Sequence, residues 1–479
     1  MTRQRSLART LCAFGVLAVV GGDTAVACEL TELEKLTAAE PVAGSWFGRV
    51  VGFSGDVAVV GAVIGDFGSA GSAFVFRHTD LGWVEEAELP ACFEAECGGG
   101  NAVAVSGDVV IVGARGDFVG DGFTTRLYRY AAEDWTEEAT FSGTWIHEAI
   151  GVDGDVVVLA TYTDWPVNDG AEPRVEIHRY DESTWAREAE LSLDATSVSI
   201  SGDVVLVGIA GSAYVYRYDG SAWNEEAELA PTDGAAGHSF ACSVSVSGDV
   251  ALVGAERTDD EDGEPGAAYV FRYSKGAWTQ EARLTASGDA DESFGQTVTL
   301  NGTSAMMGAD GAAYVFRYYG DAWEEQAELA PSDAPADGFG TSVAIDGDVA
   351  LVGAYGGAGA VYAYRGMGDC NENGALDACD VADGTSTDAD ANGVPDECEG
   401  EPDDGDTDDD GDDVNDGDDT PDDDADGDDT SGDQVDEDLD DLLPPCCGTG
   451  VCGAGAAGFL PLTLLGMVIL KRGNKHAGC

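Results

Sequence analysis

The sequence predicts an all-β chain organised around a seven-bladed β-propeller, and three observations predict it. A phrase resembling Val-Ser-Gly-Asp-Val-Ala-Leu-Val-Gly-Ala recurs along the chain, its turn glycine falling at Gly55, Gly107, Gly154, Gly202, Gly248, Gly302 and Gly347. Each copy but the last is followed by an aromatic phrase of the type Ala-Tyr-Val-Phe-Arg-Tyr and then by one of the type Trp-x-Glu-Glu-Ala-Glu-Leu. The phrase missing after the seventh copy stands near the N-terminus instead, at Leu30–Leu36. A fixed repeat of short strands and turn signals is the mark of a propeller.

Each unit reads as four strands. The first ends at Gly-Asp, a strong hairpin signal. The second is a Val-rich run closing on Gly-Ala, as in Val250–Ala255. The third is the alternating aromatic strand, as in Ala268–Tyr273, and the fourth is the Trp phrase, as in Trp278–Leu284. Small residues suit the strands that crowd the axis, and alternation of apolar residues with Glu suits a half-solvated outer strand. Leu30–Leu36 aligns with Trp323–Leu329, so the N-terminal strand is expected to complete the last blade and close the ring. Closure removes exposed sheet edges.

Ahead of the ring, residues 1–27 read as an export signal: Arg3, Arg5 and Arg9, an apolar stretch at Leu11–Val20, and a small-residue cleavage site at Ala25–Ala27. Cys28 follows, so lipidation there is open. The propeller is assigned to residues 28–366, paired calcium-binding loops to 367–400, a disordered acidic spacer to 401–445, and a Cys-Gly motif, transmembrane helix and basic tail to 446–479. With 22 basic against 92 acidic residues and a net charge of −70, the chain repels a phosphate backbone, which excludes nucleic acid as a partner. Cations and basic proteins are the natural partners of such a field. Export permits disulfides among the 12 cysteines; Cys92 and Cys97 share a loop, and Cys242 reads as a small buried residue.

An arginine closes the third strand of every unit: Arg77, Arg129, Arg179, Arg217, Arg272, Arg317 and Arg365. Recurrence in every blade marks a scaffold element, a cross-strand partner for the Glu-rich fourth strand, rather than an anion site. The paired carboxylates Glu85-Glu86 and Glu225-Glu226 read as solvated strand faces. No catalytic motif emerges: His78, His147, His178, His238 and His476 lie in different units, and no nucleophile elbow, zinc-protease pair or P-loop occurs.

These units resemble the FG-GAP repeats of integrin-α-like propellers. The Phe-Gly element stands at Phe47-Gly48, Phe294-Gly295 and Phe339-Gly340, with His238–Ala241 a degraded copy. The Gly-Ala element stands at Gly61, Gly113, Gly254, Gly308 and Gly353. The family's proline after Gly-Ala is absent. The resemblance implies calcium loops between second and third strands; the nearest match, Thr258–Gly263, has its Asp spacing only partly right.

The sharpest chemical motif follows the last blade. Asp369, Asn371, Asn373, Asp377 and Asp380 occupy positions one, three, five, nine and twelve of one loop, and Asp388, Asp390, Asn392, Asp396 and Glu399 those of a second, with Gly374 and Gly393 at position six. Calcium takes six to eight oxygens from this pattern, so calcium is the expected cofactor. The segment looks like dockerin-type or thrombospondin type 3-like repeats, although Val381–Thr387 is too short a link for a full dockerin. Residues 401–441 carry 24 acidic and no basic residues, which predicts an extended, disordered spacer. Ala454–Leu470 is just long enough to span a membrane, and Lys471, Arg472 and Lys475 follow it. With Cys446-Cys447-Gly448 before it, this end is similar to the Cys-Gly sorting signals of bacterial surface proteins. The expected function is therefore a non-catalytic surface or secreted binding protein whose partner is an extracellular protein or glycan, held to the membrane by its C-terminal helix. An extracellular hydrolase or lyase acting on polysaccharide and a structural envelope component are the alternatives.

Overall fold

The computed structural model describes residues 30–40, 44–62, 71–79, 81–90, 98–115, 123–143, 146–162, 173–233, 239–256, 265–287, 293–333, 337–366, 381 and 384–387. The export segment, the calcium-loop ligands, the acidic spacer and the C-terminal apolar run lie outside them, as do Cys92, Cys97, His238 and His476. Among the described residues, 28 strands form seven antiparallel four-stranded sheets. Blades 1 to 6 span 50–90, 98–143, 146–191, 195–229, 240–284 and 297–329. Blade 7 combines Phe339–Asp346, Val349–Ala354 and Ala360–Arg365 with the N-terminal strand Thr31–Leu36, which pairs antiparallel to Ala360–Arg365. Thr31 lies opposite Arg365 as Glu324 lies opposite Arg317, so the closing strand sits in the register of every other outer strand.

The second strands Val57–Ala62, Val250–Ala255 and Ser304–Ala309 are buried along their whole length, and Val204–Ile209 and Val349–Ala354 along all but one residue. Each is covered on both faces, which is why it is a continuous apolar run. Buried residues gather into seven clusters, one at each seam between neighbouring blades. Leu206 and Leu229 of blade 4, for instance, meet Phe240 and Tyr269 of blade 5. Burial of each such side chain stabilises the ring by about 1.5–3 kcal/mol.

The outer strands correct the expectation of simple alternation. Each carries a one-residue bulge: Val215 pairs with Ala227 and Tyr216 with Glu225, leaving Glu226 between them, and the same shift recurs in all seven blades. A bulge moves everything after it to the other face. Trp223 therefore packs back towards blade 3 while Leu229 packs forward into blade 5. Unbulged, both would face one seam and leave the other empty.

The Phe-Gly and Gly-Ala elements interlock across seams. Phe47, Phe294 and Phe339 are fully buried, and the glycines after them have φ of 85 to 88°. The carbonyl of that glycine lies where the next-door Gly-Ala glycine would carry a Cβ: 2.1 Å for Gly295 O at Gly254 and 2.0 Å for both Gly340 O at Gly308 and Gly48 O at Gly353. Neither glycine admits a side chain, because the obstacle is backbone. In the degraded copy, Ala241 holds the same left-handed conformation at φ 69°.

Candidate functional site

Strand direction separates two faces. The Gly-Asp hairpins and the links from third to fourth strand share one. The links from second to third strand, and those from one blade to the next, share the other.

The hairpin face is uniform. Every first-to-second turn is two residues, and every third-to-fourth link in blades 1 to 6 is two or four. The turns are tied edge to edge around the ring. Gly55 N–H donates to Asp346, Gly107 to Ser54, Gly154 to Ser106, Gly202 to Asp153, Gly248 to Ser201 and Gly302 to Ser247, at 2.5–3.1 Å. Asn301 Nδ2 donates to Asp346 at 2.8 Å and completes the circle.

Below these turns lies the arginine of each blade. In blades 1 to 5 its partner is the bulged glutamate of the fourth strand, as expected, but the contact reaches further. Arg217 Nε donates to Glu226 at 2.9 and 3.1 Å, Trp278 Nε1 of the next blade donates to the same carboxylate at 2.8 Å, and Tyr273 of that blade lies 4.8 Å under the guanidinium. Arg77, Glu86, Trp135 and Tyr130 repeat this, as do Arg129, Glu138, Trp185 and Tyr180, then Arg179, Glu188, Trp223 and Tyr218, and finally Arg272, Glu281, Trp323 and Tyr318. The bulged glutamate is thus the shared acceptor of an inter-blade clasp, its side chain only 19–22% exposed, and not the solvated face expected of Glu86 and Glu226. The bulge is what turns it into the seam. Burial pushes the Glu226 carboxyl up, but the donors from Arg217 and Trp278 outweigh it and hold it below the ordinary glutamate value.

The opposite face is variable. Two residues join second and third strands in blades 4 and 6, five in blade 7, seven in blade 2, nine in blade 1 and eleven in blades 3 and 5. The eleven-residue links of blades 3 and 5 lie almost wholly outside the described residues, and Thr258–Gly263 with them. Two aromatic side chains do stand out there, Trp46 and Tyr355, each 36% exposed. Arg49 lies 5.0 Å from the Trp46 ring, and Gly44 N–H donates to Gly357 O at 2.9 Å, which joins the segments bearing the two aromatics. Sequence reasoning missed them. The signal was Trp46 itself, standing before Phe47-Gly48 where the other copies have Ser239, Ser293 or Gly338.

Of the histidines, His178 sits on a third strand, buried, with Nε2 3.0 Å from Glu176. Glu176 also accepts from Arg174 at 2.7 Å and Arg187 at 3.1 Å, and the bonds from His178 and then Arg174 hold its carboxyl down at about 2. Half-buried and cross-linked by these bonds, the cluster braces blade 3. Cys242 is half-buried rather than buried, its thiol 3.7 Å from Gly295 O. Among the described residues, no group of three or more His, Cys, Asp or Glu is placed to hold a metal ion, and no helix is long and apolar enough to cross a membrane. The proposed calcium ligands Asp369–Glu399 lie outside those residues.

Comparison with known proteins follows the same geometry. The FG-GAP repeat model matches residues 30–76, 223–271 and 323–364. Each match begins on one blade's outer strand and ends on the third strand of the next blade, so the sequence repeat is offset by one strand from the blade. No curated protein matches the sequence. Among solved structures, a chain of the mitotic checkpoint complex is similar at 13% identity, covering 74% of this chain and 100% of its own, with a TM-score of 0.49. Sqt1 of Saccharomyces cerevisiae is similar at 10% identity, covering 70% of this chain and 99% of its own, with a TM-score of 0.42. The chain carries FG-GAP repeats, and they are folded as a seven-bladed β-propeller.

Proposed function

We propose that this protein is a non-catalytic binding head, displayed outside the cell, whose ligand is an extracellular protein or glycan taken up on the variable face. The observation that carries the reading is the segregation of variation. One face is a repeated lattice of two-residue turns, and all large differences in loop length fall on the other. Rigid scaffolds that present variable loops are built for recognition. Trp46 and Tyr355 supply aromatic surface of the kind enriched at interfaces.

The rest of the chain supports the same reading through its spacing and composition. The loops headed by Asp369 and Asp388 bind calcium and stiffen the neck, the acidic run 401–441 holds the head away from the membrane, and the apolar C-terminal segment anchors or sorts it. The test is binding of the intact protein to arrays of surface glycans and extracellular proteins, with Trp46→Ala and Tyr355→Ala alongside. A ligand whose capture falls at least tenfold in both variants supports the reading. Ligand capture unchanged in both variants, or turnover of an arrayed polysaccharide, would refute it.

A further inference from the structure

The clasp is complete at five of the seven seams, and the exceptions flank blade 7. At the seam from blade 7 to blade 1, the bulged position holds Leu33 in place of glutamate, 37% exposed. The two donors that elsewhere share a carboxylate remain. Trp83 is 8% exposed, and its buried Nε1 has no hydrogen-bond partner; the buried Nε of Arg365 has none either. Between them lies a cavity of about 460 Å³ lined by Leu33, Glu34, His78, Trp83 and Arg365, among others.

The neighbouring carboxylates do not fill the vacancy. Glu34 directs Oε2 to the main-chain N–H of Trp83 at 3.0 Å, not to the indole. Asp348 accepts from Gly366 N–H at 3.0 Å and lies 3.4 Å from Arg365 Nε. Asp56 holds the matching position in blade 1, but there it accepts from Arg77 Nη1 at 2.9 Å while Glu86 accepts from Nε at 3.1 Å; Asp348 lies beside Arg365 Nε without hydrogen-bond geometry and leaves that N–H unsatisfied. Arg365 therefore has the first of its two anionic partners and lacks the second.

We propose that this seam is a binding site for one carboxylate group, which would accept from Trp83 Nε1 and Arg365 Nε as Glu86 accepts from Trp135 and Arg77. The site lies on the uniform face, away from the variable loops, and does not depend on what those loops bind. The group is that of a free organic acid, for which acetate is the smallest probe.

The indole N–H resonance of Trp83 reports occupancy, assigned by Trp83→Phe in the full-length protein and read against Trp135, Trp185, Trp223, Trp278 and Trp323. Sodium acetate is the probe, with sodium chloride at equal ionic strength as control. A saturable shift towards the five clasped indoles in acetate alone, lost in Arg365→Gln, supports a free carboxylate. Leu33→Glu should place Trp83 with the clasped five and abolish its response to acetate, which tests the geometry without touching the donors. A Trp83 resonance that ignores acetate, or that responds equally to chloride, overturns the proposal.

Discussion

Replacing Glu226 with alanine removes the acceptor that Arg217 and Trp278 share across the seam from blade 4 to blade 5. A hydrogen bond to a charged group contributes about 1.5–3 kcal/mol and a neutral one about 1 kcal/mol. The carboxylate is 20% exposed and the guanidinium 31%, so water recovers part of the loss and the lower half of that range applies. Glu226→Ala should therefore cost about 2–3 kcal/mol, and Glu226→Gln, which keeps one acceptor oxygen, about half of that. Glu225 is the control, because its side chain is exposed and reaches only Tyr216 Oη, at 3.4 Å. Glu225→Gln should cost less than about 0.5 kcal/mol. Urea denaturation followed by tryptophan fluorescence reads the difference as a shift in midpoint at constant slope. Equal midpoint shifts for Glu226→Ala and Glu225→Gln would show that both glutamates are merely solvated and that the clasp carries no stability.

Gly254→Ala should cost more than about 3 kcal/mol or abolish folding, because its Cβ would stand 2.1 Å from Gly295 O, whereas Gly248→Ala meets nothing within 4 Å and should cost about 1 kcal/mol for its φ of 55°; thermal melts of the two compare them. Glu176 titrates near 2 in the fold against an ordinary 4.5, so its contribution is present above pH 4.5 and is lost as pH falls towards 2. That contribution is at most about 3 kcal/mol, and the stability gap between the parent and Glu176→Gln should be widest at neutral pH and close by pH 2. Calcium should protect residues 369–399 from proteolysis, and identical digestion with and without chelator would count against the paired loops.

The architecture was legible because the ring repeats itself: one turn glycine read seven times outweighs any local ambiguity, and the displaced strand at 31–36 fell in the register its alignment with Trp323–Leu329 required. The clasp was half legible. Recurrence marked Arg217 as structural, but an even spacing from Trp223 to Ala227 and Leu229 reads as one face, and only the bulge at Glu226 reveals that the strand serves two seams. Trp83 and Arg365 look identical in sequence to their counterparts; what distinguishes them is Leu33, about 50 residues away from one and more than 300 from the other. Ala241 shows a different limit, since an alanine in a glycine's slot hides a left-handed turn that the fold nonetheless keeps.

Pairing of Thr31 with Arg365 makes the earliest strand of the ring wait for the latest. During synthesis or passage through a narrow exit in chain order, blades 1 to 6 can zip locally, each hairpin finding its neighbour within a few tens of residues. The 31–36 segment has no partner until Ala360–Arg365 follows. Bringing such distant ends together is slow, since contacts far apart in sequence close late. Completion of the circle thus serves as a length check: a chain cut short anywhere before residue 360 leaves an open arc with an uncovered blade face at each end, while a chain that reaches Arg365 covers both.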